Sequence, residues 1–104
     1  MLSVTDANFK EVLGAHLAIV DFWSPMCSHC MDMKPVVEEL AKEKNDSILI
    51  VGADVDKAKK TSDKYNVEGL PTLIFFRDGV EVHRTEGSMP KKELLKQIKK
   101  AFGD

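Results

Sequence analysis

Only two cysteines occur among the 104 residues. That is too few for a small domain stapled by several disulfides, or for a zinc module built on four thiolates. Charge of one sign is also missing: fifteen Lys and Arg face seventeen Asp and Glu, a formal net charge of −2. A nucleic-acid binder carries a basic excess gathered into a stripe, so no nucleic-acid partner is expected. Long apolar runs are absent too. The longest, such as Ile48-Leu49-Ile50-Val51, falls far short of the roughly 20 residues of a membrane span. There is no linker, repeat or low-complexity stretch, and no charged, apolar and cleavable leader before Thr5. The expectation is one domain over residues 1–104, cytoplasmic, with no membrane partner. What is present is ordinary for a globular chain: 43% hydrophobic and 31% charged residues, enough to build a core at this length.

The hydrophobic period alternates along the chain. Thr5 or Asp6 caps a short helix with Phe9, Val12 and Leu13 inward, ending near Gly14. Leu17 to Trp23 is nearly continuously apolar, the pattern of a strand buried on both faces, and Ser24-Pro25 ends it. From about Cys27 to Lys44, Cys30, Met33, Val37, Leu40 and Ala41 recur at helical spacing, with Pro35 as an expected kink. Ile48 to Val55 reads as a second buried strand. A short helix follows, ending near Tyr65-Asn66, then a strand at Thr72 to Phe76. Asp78-Gly79 predicts a tight hairpin into Val80 to His83, since this pair favours the positive φ angles of a type I′ turn. Leu94, Leu95, Ile98 and Phe102 form the stripe of a last helix. This order predicts an α/β fold: a mixed sheet of four or five strands with helices on both faces.

Cys27-Ser28-His29-Cys30 carries the chemistry. Cysteines three apart on a helix share a face and lie close enough to bond. The first stands at the helix start, where free backbone N–H groups and the helix dipole favour a thiolate. The pair thus supplies an activated nucleophile, Cys27, and a buried resolving thiol, Cys30. Two other classes use such a pair. A metal module would add His29, yet three ligands on one turn are too few for a closed tetrahedral site. A non-catalytic interaction domain would not need the thiols. The place of the pair, after a buried strand and opening a helix, favours redox work.

Val20-Asp21-Phe22-Trp23, the Cys27–Cys30 pair, Pro35 five residues beyond it, Val67-Glu68-Gly69-Leu70-Pro71-Thr72, Asp78-Gly79 and Gly87 occur in an order and at spacings that resemble the thioredoxin family. The resemblance spans essentially the whole chain. It implies a thioredoxin fold with dithiol–disulfide exchange on disulfide-containing protein substrates. No bound cofactor is implied, and electrons are expected from a thioredoxin-reductase-type flavoprotein. A monomer is the default expectation, since no helix shows an excess apolar face. The resemblance also implies a cis bond before Pro71, in a loop against the cysteines, where neighbouring backbone groups pair with an extended substrate. Trp23, Met26, Leu70, Pro71 and Gly87 then line the docking groove. Without it, Trp23 and Leu70 read as core residues, and Asp21 as a strand-end carboxylate reaching solvent. With it, Asp21 becomes a buried general base that acts through water on the thiol of Cys30. Relatives often carry a lysine near this carboxylate where Gly52 stands here, so a raised Asp21 pKa with less relief from a cation is expected.

The chain also departs from the family. Met26-Cys27-Ser28-His29-Cys30 replaces the common Trp-Cys-Gly-Pro-Cys. Histidine before the second cysteine resembles the more oxidising isomerases and oxidases. An imidazole near the Cys27 sulfur stabilises the thiolate, so Cys27 should titrate below the free-thiol value of roughly 8.5. The reduction potential should then lie above the roughly −270 mV of thioredoxin. Glu86 stands where an apolar groove residue is common, and should favour basic partners. His16 and His83 read as isolated, the lysine clusters as solvated helix faces, and Met31 and Met33 as core packing.

Overall fold

The computed structural model describes residues 1–103. Five strands and four helices follow one another as β1 (Leu2–Ser3), α1 (Lys10–Leu13), β2 (Leu17–Trp23), α2 (Ser28–Glu43), β3 (Leu49–Asp54), α3 (Lys59–Lys64), β4 (Thr72–Arg77), β5 (Val80–Glu86) and α4 (Lys91–Phe102). The sheet order is β1-β3-β2-β4-β5. β1, β3 and β2 run parallel, and β4 and β5 antiparallel to their neighbours. The expected α/β sheet is thus five-stranded, with β2 at its centre.

Alternation along β2 divides the interior into two cores. Ala18, Val20 and Phe22 face one side, with Phe9, Val12, Ala58 and Phe76. There Phe76 packs edge-on against Phe9 and Tyr65, at 5.9 and 5.4 Å between ring centres. Ile19 faces the other side, with Met33, Val37 and Leu40 of α2 and Leu94 and Ile98 of α4. Each large side chain so buried contributes roughly 1.5–3 kcal/mol. Lys91 donates to Glu39 and Glu43 at 2.6 Å each, which ties the start of α4 to α2.

Several expectations need correction. Neither Thr5 nor Asp6 caps α1, whose first turn has no side-chain cap. Asp6 instead accepts from the backbone N–H groups of Lys60 and Thr61 and from the Thr61 hydroxyl, at 2.8 to 3.1 Å. It therefore caps α3 from across the fold, and these bonds, the Thr61 hydroxyl first, hold its carboxyl below the usual range. Leu95 and Met31 are exposed rather than inward. His16 pairs with Asp78 at 2.7 Å, and His83 bonds Gln97 at 2.7 Å while lying against Phe75, so neither is isolated.

The β4–β5 hairpin turns on Asp78 and Gly79, with φ of 50° and 82°. These match the predicted turn. Gly79 is needed twice, because a Cβ there would also stand 2.9 Å from the Leu13 carbonyl oxygen. β5 runs three residues past His83, to Glu86. Its ladder breaks between Phe75 and Phe76, where Val82 is the extra residue of a bulge. Arg84 pairs with Glu81 at 2.6 Å on the same strand.

Candidate redox centre at the end of the central strand

β2 ends at Trp23, and α2 begins at Ser28. Cys27 stands between them as the N-cap of α2, in extended conformation with φ −101° and ψ 110°. Its Sγ accepts the backbone N–H of Cys30 at 3.2 Å. A sulfur thus takes the capping role an Asp or Ser oxygen usually fills. The two cysteines form a disulfide, with Cα atoms 5.3 Å apart. Cys27 is half-exposed, whereas Cys30, one turn into the helix, is buried. The arrangement offers one sulfur to a partner and withholds the other.

The sheet register gathers the rest of the site. Phe22 pairs with Thr72, and Thr72 with Glu86. The end of β2, the start of β4 and the end of β5 therefore meet at the edge where α2 begins. Pro71 precedes β4, is buried, and follows a cis peptide bond. Its carbonyl accepts the Gly87 N–H at 2.9 Å, and the Thr72 hydroxyl donates to the Gly69 carbonyl. Trp23 and Leu70 are half-buried. Met26 is 91% exposed, an apolar side chain standing beside Cys27 in sequence. Glu86 is exposed, with a carboxylate oxygen 3.5 Å from where a Cβ on Gly69 would lie. His29 is exposed on the first turn of α2, and its ring makes no hydrogen bond among the described residues.

Asp21 does not reach solvent. It is buried at 1% exposure, and its Oδ1 has no hydrogen-bond partner. Burial pushes its pKa up to about 7, against the opposing positive charge of Lys34. The expected rise is there, but a cation was missed: it comes from α2, because Gly52 lies opposite Asp21 on β3. Lys34 also sits over the Trp23 ring, 4.2 Å from its centre. Its position one turn beyond Cys30 was the available signal. Among the described residues no three His, Cys, Asp or Glu side chains cluster to hold a metal ion. Among the described residues, no helix is long and apolar enough to cross a membrane. A cavity of about 500 Å³ opens between Met1, Leu17, Ala41, Asn45 and Ile48, away from the cysteines.

A Cys-x-x-Cys disulfide at a helix start, set on this mixed sheet, defines a thiol–disulfide oxidoreductase. The thioredoxin family model matches residues 1–100. The chain is 38% identical over 100 residues to "Thioredoxin" of Staphylococcus saprophyticus, covering 96% of both chains. It is 37% identical to "Thioredoxin 1" of Synechococcus elongatus, over 94% of both. Against "Thioredoxin" of Bacillus subtilis it is 36% identical, over 96% of both. The chain belongs to the thioredoxin family.

Proposed function

We propose that this single-domain chain, residues 1–104, exchanges dithiol and disulfide with cytoplasmic protein substrates. It acts as a monomer, binds no cofactor, and is recharged by a thioredoxin-reductase-type flavoprotein. The Cys27 thiolate attacks one sulfur of a substrate disulfide and forms a mixed disulfide; the other substrate sulfur leaves as a thiolate and takes a proton from water. Asp21 then accepts the proton of Cys30 through an intervening water, and the Cys30 thiolate attacks Cys27 Sγ. The second substrate sulfur departs as a thiolate and takes the proton that Asp21 accepted, and the Cys27–Cys30 disulfide remains, so two electrons have moved to the substrate. The observation that carries this reading is the Cys27 sulfur capping α2 at 3.2 Å from the Cys30 nitrogen, with Cys30 buried behind it. A helix start stabilises the thiolate and burial keeps the resolving thiol for the intramolecular step. Trp23, Met26, Leu70, Pro71 and Gly87 receive the substrate as an extended strand.

The test is to trap the intermediate. Cys30→Ser should accumulate the mixed disulfide with a disulfide peptide, and Cys27→Ser should form none. Trapping on Cys30 in the Cys27→Ser protein would reverse the roles.

His29 supports a second reading of direction. His29 stands two residues beyond Cys27 on the first turn of α2, and an imidazole turned toward the Cys27 sulfur would stabilise the thiolate and raise the potential, which suits oxidase or isomerase work or selective reduction of easily reduced disulfides. A potential near that of ordinary thioredoxin would favour the general reductase instead.

A further inference from the structure

Asp21 and Trp23 are two residues apart on β2, so both side chains leave the sheet on one face. Ile19 on the same face packs with Met33 and Val37, so this is the face under α2. Gly52 lies opposite Asp21. A Cβ on it would stand 3.2 Å from Trp23 Nε1 and 3.0 Å from Met1 Cε. The room a longer side chain on β3 would need is thus taken by the indole. On α2, the ammonium of Lys34 sits 4.2 Å from the centre of that ring. The ring's negative face attracts the cation, and the lysine stem packs along apolar surface while its charge stays partly hydrated.

We propose that Lys34 is the positioning residue for proton transfer at this site: fixed on the Trp23 ring, it supplies from α2 the positive field that lets the buried Asp21 ionise and take the Cys30 proton. The inference rests on Asp21 being the proton acceptor. The surrounding elements leave this task to Lys34. On β3, Gly52 carries no charge, and Asp54 pairs in register with Trp23 at the strand end. On β4 the register partner is Leu73. α2 contributes the cysteine pair and Lys34. Desolvation is the larger influence on Asp21, and Lys34 opposes it.

The test follows the Asp21 carboxyl carbon by NMR across pH, in the unaltered protein, Lys34→Gln and Lys34→Arg. The expected result is a midpoint near 7, raised by about half a unit or more in Lys34→Gln and restored in Lys34→Arg. The pH profile of the Cys30-dependent resolution step should move in the same direction by the same amount. An unmoved midpoint in a folded Lys34→Gln protein, or an Arg variant that behaves like Gln, overturns the role of Lys34. An Asp21 midpoint in the ordinary carboxylate range in the unaltered protein overturns the reading of Asp21 itself.

Discussion

Burial of a single carboxylate has a thermodynamic consequence. The folded pKa of Asp21 lies near 7, above its ordinary 3.8. Between those values the native state holds a proton that the unfolded chain releases. Stability therefore falls as pH rises through this window, and the loss is complete above about 7. Three units correspond to roughly 4 kcal/mol. Asp21→Asn should accordingly stabilise the oxidised protein by roughly 2–4 kcal/mol at about pH 8. The gain should vanish near about pH 4. Urea unfolding at both pH values checks it, and equal gains would show that the effect is not ionisation. His29 calls for a different measurement. His29→Ala should lower the reduction potential by tens of millivolts, since roughly 30 mV corresponds to about 1.4 kcal/mol. Equilibration against glutathione reads this directly, and an unchanged potential would make His29 a bystander. The cysteines and Asp21 stood out in the sequence because each breaks or punctuates a local pattern. Lys34 did not: its partner is a ring on another element, and contacts between elements leave no local period.

At the scale of elements, legibility followed how much of each element's stability is local. β2 was predicted at its observed bounds because seven residues, from Leu17 to Trp23, form a near-continuous apolar run closed by Ser24-Pro25. β1 was missed because two residues have no period; their pairing is supplied by Val51 and Gly52 of β3. The Asp6 cap was assigned to the wrong helix because its partners lie 54 and 55 residues away. β5 extends beyond its apolar pattern because Arg84, Thr85 and Glu86 each find a ladder partner on β4. The hairpin, by contrast, was readable in two letters. Its dependence on Gly79 is both conformational and steric, so Gly79→Ala should cost about 1–3 kcal/mol. Thermal or denaturant unfolding would register it. A neutral substitution would mean that the turn and the Leu13 carbonyl relax together.

For the molecule as a whole, a net charge of −2 conceals an uneven surface. Glu68 and Glu86 are both exposed on the segments that flank Pro71. Nearby Arg84 is engaged with Glu81 and the Tyr65 carbonyl. A substrate strand with Lys or Arg beside its disulfide should be reduced faster than an acidic one, and salt should narrow the gap. Glu86→Val should shrink that preference, as paired basic and acidic disulfide peptides would reveal; an unaltered ratio would exclude Glu86 as the selector. The far rim of the sheet poses a separate problem. β5 leaves one row of backbone donors and acceptors without a neighbouring strand, and such a row invites another copy to zip alongside. The bulge at Val82 interrupts the row, and the Arg84–Glu81 pair would have to be dislodged before a flat ribbon could form. The kink that looks like an irregularity in the ladder is therefore the kind of feature that disfavours strand addition along an open edge.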